Sequence, residues 1–276
     1  MTAPVLTTKL HIPAARPEWV PRPRLIQRLN QGLRRGHRLT LISAPAGFGK
    51  TTLLSDWIAR HEGPAAWLSL DDQDNEAIRF WTHLVAAHQR IRGDLGQETL
   101  GLLQTSPPPP AESIVSALIN EIASLASVPP TADIILVLDE YHLISSARIH
   151  EGIAFLLEHQ PPNLHLVIST RADPSLPVFR LRARGQLTEL RSDDLRFTTD
   201  ETATFLNRVM NLKLAPEDVA ALEAHTEGWI VGLQLAALSL QGRDEARRHI
   251  ASFGGSHHYV LEYLTEEVMR RQAQPV

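Results

Sequence analysis

Two spacings of apolar residues alternate along the chain. One is the short unbroken run. Residues 39–42 read LTLI, residues 65–70, 134–138 and 164–169 have a similar apolar, partly β-branched character, and QLTEL at 186–190 is a fifth, less apolar candidate. Each predicts a strand. The other is the helical repeat, seen in Leu25, Ile26, Leu29 and Leu33, in Leu53, Leu54, Trp57 and Ile58, and in Ile78, Trp81, Leu84 and Val85. It returns in Ile114, Leu118, Ile122 and Leu125, and over 147–159. Gly36, Pro129-Pro130 and Pro161-Pro162 punctuate these stretches. Nearly continuous apolar strands suit a sheet covered on both faces. Strands separated by helix-length crossovers suit parallel pairing. The pattern predicts an α/β fold with a parallel five-stranded sheet.

Three stretches depart from this alternation. Residues 1–24 hold five prolines and little periodicity, which reads as an extended arm. Residues 92–110 contain three glycines and end in four consecutive prolines, which reads as a surface excursion. After Arg191 no strand pattern is left. Thr198-Thr199-Asp200-Glu201 resembles a helix cap, and helical faces follow at 203–209, 216–224, 229–240 and about 257–269. The expected organisation is an arm over 1–24, an α/β core over 25–191 and a small all-helical domain over 192–276.

The first strand runs into the chemistry. Residues 39–52 read LTLISAPAGFGKTT, a strand, a turn of small residues and a helix start. This is the setting of a phosphate-binding loop, in which backbone N–H groups and a helix N-terminus face the anion. Ala46, Gly47, Phe48, Gly49, Lys50, Thr51 and Thr52 are the candidate contacts, with Lys50 reaching the outer phosphates and the Thr51 hydroxyl placed for Mg²⁺. Ala44 stands where the usual pattern has its first glycine. The strand at 134–138 ends in Asp139-Glu140, so Asp139 is a candidate metal ligand and Glu140 a candidate for polarising the attacking water. Arg171, after the fourth strand, is placed to sense the γ-phosphate or to pair with local acids such as Asp173. The cluster Asp71, Asp72, Asp74 and Asn75 follows the second strand and reads chiefly as a helix cap. Near Gly228-Trp229 and Gly232-Leu233 a helix can approach a ligand closely, or Trp229 can simply anchor a core.

Composition narrows the classes. There is no cysteine, which removes disulfides and thiolate chemistry. No apolar run approaches the 18 residues of a spanning helix, and the first residues lack the basic-then-apolar pattern of a secretory signal. A cytoplasmic protein with no membrane partner is expected. Net charge is −4, with a basic first 60 residues and an acidic remainder. Lysine occurs at Lys9, Lys50 and Lys213 alone, the other basic residues being arginines. His257-His258 are adjacent and point to different faces of a helix, a poor metal pair. No nucleophile elbow or zinc-binding spacing is present.

Taken together, TTKLHIPAARPEWVPRPRLIQRL, LISAPAGFGKTTLLSDW, WLSLDDQDNEAIRFWTHL, IILVLDEYHLI, LVISTRADPSLPVFRLRARGQLTEL and TEGWIVGLQLAAL carry a resemblance. The chain resembles the N-terminal part of the large ATP-dependent LuxR-type transcriptional activators of the maltose regulon type. These are STAND-class P-loop NTPases. The resemblance implies ATP or ADP with Mg²⁺ as ligands, and places Lys50 and Thr51 in the phosphate loop. Asp139 and Glu140 become its acidic motif and Arg171 its sensor. It makes Val20, Pro21 and Arg22 an adenine-side motif, and Gly232 and Leu233 part of a segment closing over the nucleotide, although Gln234 stands where related modules carry proline. It further implies a slowly hydrolysing switch, truncated here before a winged-helix domain. An inducer, DNA and self-association belong to the full-length protein, while the present chain is expected to be monomeric and without operator preference. Two other classes stay open: a stand-alone P-loop ATPase of the loader or remodelling type, and an interaction scaffold with a structural nucleotide.

Overall fold

The computed structural model describes residues 5–16, 18–107, 109–125 and 133–241. The expected helix at 257–269 and the Pro129-Pro130 stop lie outside these residues. The chain divides into two compact units. One comprises Met1–Ala14, Arg24–Ala44 and Thr51–Arg191, and the other Ala15–Pro23, Pro45–Lys50 and Ser192–Val276.

The first unit is built on five parallel strands, β1 (Leu39–Ser43), β2 (Ala65–Ser69), β3 (Ile134–Asp139), β4 (Leu164–Thr170) and β5 (Leu187–Arg191), in the order β2-β3-β4-β1-β5. Every residue of β1, β3 and β4 is buried, the expected result of covering a sheet on both faces. Placing β4 between β1 and β3 brings their carboxyl ends to one edge. Ser43 pairs in register with Thr170, and Leu138 with Ile168.

Helix α1 (Pro23–Arg34) precedes β1, and the crossovers contain α2 (Lys50–Ala59), α3 (Ala77–Gln89), α4 (Gln97–Leu103), α5 (Ala111–Leu125), α6 (Ala147–His159) and α7 (Val178–Ala183). Helix α4 corrects the expectation for 92–110. Gly96 starts it in the left-handed conformation, and Leu95, Thr99 and Leu103 are buried. Gly96 and the prolines bound this helix, Gly101 lies within it, and one turn of apolar residues is too short to register as a repeat.

The acidic cluster after β2 is structural. Asp71 caps a short 3₁₀ turn over Asp72–Asn75, Glu76 caps α3, and the Asn75 amide oxygen accepts from the Ser145 and Ser146 N–H groups. Asp74 is fully buried. It accepts from Lys9 and, at 2.9 Å, pairs with His83 Nδ1. Burial alone would push its carboxyl up, but the hydrogen bonds from His83 and Lys9 override that and hold it well below the usual carboxylate range.

The second unit contains α8 (Ser192–Leu195), α9 (Thr199–Ala203), α10 (Pro216–Thr226) and α11 (Ile230–Leu240). Thr198 and Glu201 form the expected capping box at α9. Phe197, Phe205, Leu206, Val219, Leu222 and Leu233 form its core, and Val20 from the N-terminal arm packs against them. Among the described residues no helix is long and apolar enough to cross a membrane.

Besides His83, two described histidines are buried within the first unit. His88 Nδ1 donates to the Leu84 carbonyl, and His165 bridges the His37 carbonyl and the Thr40 hydroxyl. Burial pulls both imidazoles down to about 4 from an ordinary 6.5. Because the folded values are depressed, the fold excludes the charged forms. Their contribution is whole above pH 6.5 and is lost as pH falls toward 4. Urea midpoints measured from pH 7.5 to 4.5 should therefore fall, and fall less steeply in His88→Leu.

Candidate functional site

Chemistry-bearing residues of the first unit gather at the carboxyl edge of its sheet. Thr51, in the first turn of α2, donates its hydroxyl to Asp139 Oδ2 at 2.9 Å. Asp139 is 3% exposed, and its other oxygen accepts the Glu140 N–H at 3.1 Å. Burial raises the Asp139 carboxyl above its ordinary value, and the Glu140 charge adds to the rise. The Ser169 and Thr51 hydroxyls work against it. Ser169 is buried on the neighbouring strand, one residue after the Ile168 that pairs with Leu138, a placement the sequence did not single out.

Glu140 itself is left-handed, with φ 60°. That unusual backbone turns the chain directly after β3 into a 3₁₀ turn over Tyr141–Leu143. Its carboxylate lies 3.5 Å from Arg171 Nη2 and 3.6 Å from His142 Nε2. The structure thus brings together Thr51, Asp139, Glu140 and Arg171. Arg171 contacts Glu140, whereas Asp173, the other acid considered for it, pairs with Arg191. Thr52 lies on the exposed side of α2.

The loop Pro45–Lys50 belongs to the second unit. Gly47 and Gly49 have φ of 79° and 73°, a region that side chains rarely adopt. A Cβ on Gly47 would lie 2.7 Å from Val231 Cγ2 and 2.8 Å from Trp229 Nε1, and one on Gly49 would lie 2.9 Å from Ile230 Cδ1. Three successive loop carbonyls are engaged. Pro45 accepts from Lys50 Nζ at 3.0 Å, Ala46 from Trp229 Nε1 at 3.1 Å, and Gly47 from the Val231 N–H at 3.3 Å. Lys50 is buried. Ala44 is not among the positive-φ residues, so its methyl group costs no backbone strain there.

The residues that reach the loop from α11 are therefore Trp229, Ile230 and Val231. Leu233 is fully buried in the unit's own core, and Gly232 leaves room for the Trp229 ring, whose Cε3 would lie 2.8 Å from a Cβ at that position. Glycine spacing marked this helix start, but no local pattern in the sequence pairs Trp229 with Ala46.

Arg22 is buried in the same unit. Its guanidinium donates to the Leu195 and Arg196 carbonyls at 2.8 and 3.0 Å, pairs with Glu201 and stacks 4.9 Å from the Phe197 ring centroid. Val20 is half-buried, and Pro21 is exposed.

These residues fit Mg²⁺ as that ion is usually held. It takes few protein ligands and completes its shell with water and phosphate oxygens. One carboxylate and one hydroxyl in contact supply such a donor pair, and among the described residues no group of three His, Asp or Glu side chains could hold a metal.

The profile of the AAA ATPase domain family matches residues 18–169. The chain belongs to that family. It is a P-loop NTPase of the AAA ATPase class, with an architecture for binding ATP or ADP. This AAA ATPase domain is 35% identical over 271 residues to the serine/threonine-protein kinase PknK of Mycobacterium tuberculosis, covering 97% of this chain and 24% of that protein. It is 35% identical over 269 residues to the HTH-type transcriptional regulator MalT of Yersinia pestis, covering 96% and 29%. The chain thus spans about a quarter of the length of the curated relatives it matches. Among solved structures, the Walker-type ATPase of Pyrococcus abyssi shares the fold at TM-score 0.58 and 17% identity, covering 95% of this chain and 79% of that one. A STAND protein of Pyrococcus horikoshii with a tetratricopeptide-repeat sensor does so at 0.56 and 16%, covering 91% and 34%.

The raised Asp139 carboxyl has a measurable consequence. A group whose folded value lies above its unfolded one favours the fold while protonated, and that gain is lost as pH rises. At neutral pH the ionised Asp139 therefore opposes folding. Asp139→Asn should raise the melting temperature of the nucleotide-free protein at pH 7.5 by about 2–4 °C, measured by scanning calorimetry, while weakening Mg²⁺-dependent nucleotide binding.

Proposed function

We propose that this chain is the nucleotide-operated switch of a longer, signal-responsive transcriptional activator of the LuxR type, working in the cytoplasm. The observation that carries the reading is the 2.9 Å contact between Thr51 and Asp139, which joins the phosphate-loop helix to the acidic strand. The regulatory context is supported by near-complete coverage of this chain by MalT. A similar match to the serine/threonine-protein kinase PknK supports a regulatory context as well. DNA, an inducer and self-association are assigned to the remainder of that longer protein.

In this reading Lys50 leaves the Pro45 carbonyl to neutralise phosphate charge. Thr51 and Asp139 hold Mg²⁺, which supplies further neutralisation of the phosphates when bound. Glu140 orients a water for attack on the γ-phosphate, and Arg171 exchanges its contact with Glu140 for one with that phosphate. ATP and ADP thereby leave Arg171 with different partners. Such a difference in contacts is what a ligand needs to bias a switch. Hydrolysis is slow and resets the state.

Purified protein should release stoichiometric nucleotide on denaturation, resolved by ion-exchange chromatography. Lys50→Ala should weaken ATP and ADP binding by about 10- to 100-fold, the worth of a charge-assisted hydrogen bond. Glu140→Gln should keep ATP affinity and lose turnover by about 100-fold or more. Equal affinities of wild type and Lys50→Ala by calorimetry would refute the assignment.

A further inference from the structure

We infer that Trp229 is a positioning residue for the phosphate loop, acting through its indole N–H on the Ala46 carbonyl. This rests on the nucleotide reading above and concerns how the loop is made ready for it.

The argument begins with the peptide unit. A trans peptide is planar, so the carbonyl of one residue and the N–H of the next point in opposite directions. Fixing the Ala46 carbonyl toward Trp229 turns the Gly47 N–H away from α11. Fixing the Gly47 carbonyl toward the Val231 N–H does the same for the Phe48 N–H. Two consecutive donors are thereby turned the same way, the arrangement with which backbone amides form an anion-binding concavity. Gly47 has a positive φ and, without a Cβ, a permissive backbone, so its orientation is set by what holds it from outside.

Trp229 is itself held in place. Glu227 and Gly228 both have positive φ, and a Cβ on Gly228 would lie 2.6 Å from the Phe197 carbonyl oxygen. The Gly228 carbonyl accepts the Phe197 N–H at 2.9 Å. That tight turn delivers Trp229 to the start of α11, where Gly232 leaves space for its ring. The ring packs with the unit's core while its N–H reaches the loop. A residue serving only as a core anchor has no need of that donor.

The test separates the donor from the ring. Trp229→Phe removes both the N–H and part of the ring. Replacing Trp229 with 3-benzothienylalanine keeps the bicyclic shape and substitutes sulfur for the N–H, and 4-fluorotryptophan at the same position restores it. ADP affinity is measured by calorimetry on the whole chain, with melting temperature as the control for folding. The benzothienyl variant should bind ADP about 5- to 10-fold more weakly than wild type, the worth of one hydrogen bond. The fluorotryptophan variant should bind as wild type does. A benzothienyl variant with unchanged ADP affinity would overturn the role of the N–H, while Lys50→Ala still losing affinity would leave the nucleotide reading standing. Wild-type protein that fails to bind ADP at all would overturn both.

Discussion

A loop that offers its N–H groups to an anion must find partners elsewhere for its carbonyls. An unsatisfied polar group held away from water costs about 1–3 kcal/mol. In this protein Lys50, Trp229 and the Val231 N–H receive the carbonyls of Pro45, Ala46 and Gly47. The local irregularities follow from that requirement. Gly47 and Gly49 have the positive φ the loop needs and the absence of a side chain that the approach of α11 demands. Glu227 and Gly228 adopt left-handed backbone to bring Trp229 into position.

At the sheet edge the arrangement trades stability for readiness. Asp139 is buried beside Glu140, and its charge is disfavoured in the fold. Asp74, equally buried in the same unit, has the opposite balance, because His83 and Lys9 stabilise its charge. Two carboxylates that look alike in sequence, each soon after an apolar strand, therefore have opposite tasks. One fastens the N-terminal segment, and the other keeps a desolvation cost that a bound cation would offset in the function proposed above. Perturbation of this second kind is what functional sites tend to show.

The strands were legible because burial on both faces writes them as unbroken apolar runs, and β1, β3 and β4 are buried throughout. The phosphate loop was legible because its residues are contiguous. What escaped was non-local or short. Helix α4 presents one turn of apolar side chains between glycine and proline, too little for a periodicity to show. Ser169 alternates into the site from within a strand and differs in no visible way from a buried serine. The reach of Trp229 to Ala46 spans 183 positions of sequence. The role of Arg22 was likewise hidden, since its carbonyl partners Leu195 and Arg196 belong to a stretch that the sequence marks only as the end of the strand pattern.

The path of the chain carries one more implication. It passes from one compact unit to the other five times, after Ala14, Pro23, Ala44, Lys50 and Arg191. The helical unit is therefore not a bead that a single linear cut detaches. A recombination joint at Arg191 would bring Arg22 and the loop without the carbonyls and donors they meet in their own unit. Exchange of this module preserves those pairings only when it transfers the arm, the loop and the helices together.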